Sequence, residues 1–148
     1  MTRACGLPRG DDGNALVEFT YLAVLLMVPL FYVLLAVFQV QSAAFGVTEA
    51  ARQAGRAYAR ASDPASGAAA GAAAARLALK DQNIDWSGTP SYSCPSGCDL
   101  APGSTVRTRV SYTVRLPIVG GLFGRNRAGI PVTGVHTEVV DRFKEARP

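Results

Sequence analysis

Residues 19–38, FTYLAVLLMVPLFYVLLAVF, hold no charged side chain and a single small polar one, Thr20. A helix of that length rises about 1.5 Å per residue and spans roughly 30 Å, the thickness of a bilayer's hydrocarbon core. A chain of 148 residues is too short to cover a helix that is apolar all round. The run therefore predicts a single membrane-spanning helix. Pro29 lies inside it, and membrane spans tolerate proline better than soluble helices do. A secretory signal is the competing reading, with Ser42-Ala43-Ala44 mimicking a cleavage site. Such signals have a basic start and an apolar stretch of about 7–15 residues. This run is longer, and Arg3 and Arg9 before it are offset by Asp11 and Asp12.

The rest of the composition narrows the class. At 49% hydrophobic and 18% charged the chain is not disordered, and its length fits one domain. One histidine and three cysteines argue against a four-ligand zinc site. The formal charge of +4 is modest, and the basic residues are spread along the chain.

The apolar pattern continues beyond the span. Leu30, Val33, Val37, Val40, Ala44, Val47, Ala51, Ala54, Tyr58 and Ala61 recur at spacings of three and four, which is one stripe on one helix. Arg52, Arg56 and Arg60 share the opposite, solvated face. The helix is expected over 14–62. Asp63-Pro64 stops it, because proline disfavours helix in the residue before it and lacks the N–H for the ladder.

At the front edge of the span stands Gly13-Asn14-Ala15-Leu16-Val17-Glu18-Phe19. A carboxylate entering a bilayer is costly, of order 2.5–3.5 kcal/mol at the centre and less near the surface. Glu18 either flanks the span among the headgroups or marks a processing site. The second possibility resembles the type IV pilin superfamily, whose members carry a short leader ending in Gly and a hydrophobic helix with Glu as the fifth mature residue. Together with Ala50-Ala51-Arg52-Gln53-Ala54-Gly55-Arg56, the segment is similar to TadE/TadG-like minor pseudopilins of the tight-adherence (Flp) pilus, over roughly residues 9–60.

That resemblance implies cleavage by a prepilin peptidase after Gly13, with Asn14 as the new N-terminus. It also implies that Glu18, beside Phe19, neutralises the freed amine of a neighbouring subunit during assembly. A charge pair in an apolar setting is costly to leave half-made, so it would fix register. A cut at Gly10 would put Glu18 at the eighth position, so Gly13 fits better. Arg9-Gly10-Asp11 spells an adhesion tripeptide, but it falls in the leader and is discounted.

Orientation is contested by the charges. Arg3 and Arg9 compete with Arg52, Arg56 and Arg60, and the count alone slightly favours the C-terminal part inside. Arg52 is 14 residues past Phe38, however, which weakens its influence, and Cys94-Pro95-Ser96-Gly97-Cys98 has an extracytoplasmic look. Cys94 and Cys98 are read first as a disulfide closing a tiny loop. Half a zinc site and two free thiols remain as alternatives. Cys5 follows no lipobox and lies in the leader.

Residues 67–80, GAAAGAAAARLALK, have helix composition and read either as an alanine linker or, by preference, as a second helix packed on the alanine stripe. From Ile84 the period becomes two. Val106, Val110, Tyr112, Val114 and Leu116 alternate with Arg107, Arg109, Ser111, Thr113 and Arg115, predicting a half-buried strand with a charged outer face. A second strand is expected over 130–140, with Val135, Thr137 and Val139 on one face, and the Gly- and Arg-rich segment 117–129 as a hairpin loop. Shorter strands are expected near 84–86 and 90–94. So small a sheet should lean on the helix or on neighbouring subunits.

No catalytic set emerges. His136, the only histidine, reads as a surface strand residue, and Gly120–Gly124 lacks the Lys-Ser/Thr of a phosphate loop. Arg107, Arg109, Arg115, Arg125 and Arg127 could form a nucleic-acid patch, but solvated strand and loop charges are the preferred reading. The expectation is an α+β protein: leader 1–13, long helix 14–62, linker and Ala-rich helix 63–83, and a small exported antiparallel sheet domain 84–148. Functionally it is expected to be a structural subunit, not an enzyme, without metal, cofactor or small-molecule substrate. Its expected partners are the prepilin peptidase, other pilin-like subunits, the pilus assembly platform and membrane lipid. The runner-up is an uncut, single-pass anchored module whose exported sheet binds a protein or DNA.

Overall fold

The computed structural model describes residues 12–95, 97–115 and 129–144. Five elements follow in order: α1 (Asp12–Arg60), α2 (Pro64–Lys80), β1 (Ser91–Ser93), β2 (Thr105–Arg115) and β3 (Gly129–Val139). The layout is α+β. The leader up to residue 11, the hairpin loop, Leu116, Arg125 and Arg127 lie outside the described residues. The chain divides into two compact units, Met1–Val37 and Phe38–Pro148, with the division inside α1.

In the first unit, the described side chains from Ala15 onward are almost all exposed. The apolar window of α1 is long enough to cross a membrane, and none of it is buried. Leu30, Val33 and Val37, the part of the stripe expected within the membrane, are exposed.

In the second unit that stripe becomes a core. Val47, Ala51, Ala54 and Tyr58 are buried, joined by Ala43, Ala50 and Ala59, while Ala44 is exposed. The buried arc is wider than one row because both α2 and the sheet press on α1. α1 ends at Arg60, two residues short of the expected boundary. Asp63 is already extended (φ −146°, ψ 161°), as the proline after it requires.

The same Asp63-Pro64 that stops α1 starts α2. Asp63 is the N-cap, its Oδ1 accepting from the backbone N–H groups of Ala65 (3.1 Å) and Ser66 (3.0 Å), and Pro64 occupies the first turn. Its carboxyl pKa is lowered to about 2, chiefly by the Ser66 backbone and hydroxyl bonds. α2 buries Gly67, Gly71, Ala72, Ala75 and Leu79. Leu79 joins Ala43, Val47, Ala50 and Ala54 in the core, while Leu77 points to solvent. Gly71 is required by close approach, since a Cβ there would collide with the Tyr92 hydroxyl and lie 3.0 Å from the Ala54 carbonyl.

The sheet order is β1-β2-β3, all antiparallel, with Val110 opposite Gly134 and Arg115 opposite Gly129. Residues 84–86 form no strand; β1 is the only short strand among the described residues before β2. β2 buries Val106, Thr108, Val110 and Val114 and exposes the alternate residues. On β3, Val135, Thr137 and Val139 do share a face, and it is the exposed one. The helix-facing positions are Val132 and Gly134. At Gly134 α1 crosses close to the sheet: a Cβ there would collide with the Val47 carbonyl oxygen. A second cluster closes the far end, with Tyr58, Ala59, Leu100, Val106 and Val140.

Candidate functional site

The segment expected to carry processing and assembly is the start of α1. Gly13 and Asn14 fall within the first helical turn, since α1 begins at Asp12 and not at Asn14. Backbone N–H groups in a first turn have no intrahelical acceptor, so this turn opens at little cost. One turn on, Glu18 is exposed between Val17 (65% exposed) and Phe19 (73%). It has no ion-pair partner among the described residues. Thr20 Oγ1 donates to the Leu16 carbonyl at 2.8 Å, which satisfies this small polar group within the helix. The result is one carboxylate at the edge of a helix surface that is otherwise apolar on every side. An aqueous surface does not suit such a helix. A bilayer or a bundle of like helices does.

In the second unit, Cys94 and Cys98 form a disulfide with Cα atoms 5.2 Å apart, the first of the three sequence readings. Cys94 packs beside the Tyr58 cluster, and the disulfide ties it to Cys98 just beyond β1. Tyr92 on β1 stacks on Tyr58 of α1 with ring centroids 4.1 Å apart. Burial pushes the Tyr92 phenol up to about 12, with Tyr58 adding to the shift, and burial raises Tyr58 as well. Both phenols are therefore neutral at any physiological pH.

His136 is not a plain surface residue. It is half-buried at the margin of the helix-facing side, close to Gly55, with Nε2 2.9 Å from Glu138 Oε2. No nucleophile or metal-ligand set converges on it: among the described residues no group of three or more His, Cys, Asp or Glu could hold a metal ion.

Sequence reasoning missed three features here. Asp63-Pro64 with Ser66 is a helix-start signature as well as a helix stop. The Tyr58–Tyr92 stack has no local signal, because 34 positions separate the rings. Lys144 is the third: its Nζ donates to the carbonyls of Ala59 (3.4 Å) and Ala61, capping the negative end of α1. Comparison with family models, curated proteins and solved structures gave no match.

Proposed function

We propose that this chain is a pilin-like subunit, inserted in a membrane through residues 19–38 with its leader in the cytoplasm. A prepilin peptidase cuts after Gly13, and the mature subunit joins a tight-adherence type pilus through Glu18, Phe19 and α1. One observation carries the reading. On α1, Glu18 is exposed and without an ion-pair partner among the described residues, at the edge of an apolar window of which none is buried. Cleavage would free an α-amine at Asn14, and the pilin resemblance pairs that amine with Glu18 of a neighbouring copy. The disulfide supports an extracytoplasmic second unit, because such links persist in oxidising compartments.

The test is co-expression with a prepilin peptidase. Gly13→Leu should leave the chain full length, whereas Glu18→Ala should be cut but fail to assemble with other subunits. A chain that stays uncut with Gly13 intact, and tolerates Glu18→Ala, would instead be an anchored binding module.

A further inference from the structure

One face of the sheet packs on α1, and the other is bare among the described residues. On the bare face β2 presents Arg107, Arg109 and Arg115, all exposed. Arg107 lies opposite Ser93 and Thr137, Arg109 opposite Ser91 and Val135, and Arg115 opposite Gly129. The described strand residues of this face include no carboxylate. Glu138, the one acid in β3, belongs to the other side with His136. None of the three arginines has an ion-pair partner among the described residues, in contrast to Arg52, which meets Glu49 at 3.5 Å.

Strand geometry sets the reach of a partner. Arg107 and Arg109 stand about 7 Å apart, and Arg109 and Arg115 about 20 Å apart. A small anion meets one of them; an extended polyanion meets all three. Guanidinium forks match carboxylate and sulfate oxygens in pairs. Between the cations lie hydroxyls, Ser111 and Thr133 with their oxygens 3.2 Å apart. At the Arg115 end a shallow cavity of about 430 Å³ adds Trp86 as an aromatic wall and Asp85 as an acceptor. Trp86 is held there by its indole N–H, which donates to the Ser111 carbonyl at 3.0 Å.

We infer that this face binds an acidic polysaccharide, an extended chain of carboxylated or sulfated sugars. Arginines take the acid groups, and the hydroxyl rows and Trp86 take the sugar hydroxyls and ring faces. Nucleic acid fits less well. Single strands are held by successive aromatic stacking platforms, and this surface offers one, Trp86, at its Arg115 end. Duplex grooves are read by a projecting helix or ribbon, and this face projects none among its described residues. The surface lies wholly within Phe38–Pro148 and does not depend on cleavage at Gly13.

The experiment uses the full chain in detergent micelles and measures binding to heparin, polygalacturonate, neutral dextran, and single-stranded and duplex DNA. The two acidic glycans should bind, more weakly at high salt, and dextran should not. Arg107→Ser/Arg109→Ser/Arg115→Ser should lose at least about tenfold in glycan affinity, with the triple Lys variant between it and the parent, since lysine keeps the charge without the fork. Circular dichroism checks that each variant keeps its fold. Unchanged glycan binding by a folded triple Ser variant overturns the proposal. So does tighter binding to either DNA, or a variant that loses self-association while keeping glycan binding, which would make the face a contact between copies.

Discussion

At Gly134 the absence of a side chain lets β3 lie on α1, so a Cβ has no room at this position. Gly134→Ala should lower stability by about 1–3 kcal/mol or more, measured by urea denaturation, because the methyl would meet the Val47 carbonyl, which cannot move alone. Thr108 poses the opposite case. It is fully buried, and its Oγ1 has no hydrogen-bond partner among the described residues. Thr108→Val keeps the shape and removes the stranded hydroxyl, so it should be neutral or stabilising by up to about 1 kcal/mol. A marked loss would mean the hydroxyl has a partner after all. Asp63 gives the pH dependence. Its folded-state pKa lies near 2, below the ordinary 3.8. The ionised cap therefore stabilises fully above about pH 4, and its contribution is lost as pH falls through about 2. Asp63→Asn caps without titrating, so the parent should lose more helix than this variant between pH 4 and pH 2. Identical acid curves would contradict the cap.

Among elements, α2 is attached mainly through small residues, with Leu79 as its one large buried side chain. Leu79→Ala should cost about 2–5 kcal/mol. A smaller loss, read from chemical denaturation, would show that α2 is not fixed on α1. The Cys94–Cys98 link should contribute less. It closes a loop of five residues, for which chain entropy gives about 2 kcal/mol, so denaturation with and without reductant should differ by no more than that. The long helix, the alanine-rich helix and β2 were all legible in the sequence, because each carries its own period or composition. The inward face of β3 was not. Val135 and Val139 draw the eye as strand apolars, yet the face is chosen by Gly134, a residue that makes its contact through having no side chain. The Lys144 cap and the tyrosine stack were equally hidden, since both join residues that are distant in sequence.

On the scale of the whole molecule, the chain combines an apolar helix surface with a small sheet unit whose core is built from alanine and valine. The candidate site was legible in the sequence only through resemblance, as Gly13 and Glu18 stand where a pilin-like leader end and fifth mature residue are expected. The structure adds that Glu18 is exposed and that the Gly13–Asn14 bond lies in the first turn of α1. Removing residues 1–13 also removes Cys5 and leaves two cysteines, the bonded pair Cys94 and Cys98. The proposed processing, together with the disulfide, would account for the odd count of three cysteines. The most direct measurement is the N-terminal residue of the protein extracted from membranes of cells that carry a prepilin peptidase. A chain beginning at Asn14 is the expected result, and a chain that keeps residues 1–13 would contradict the proposed function.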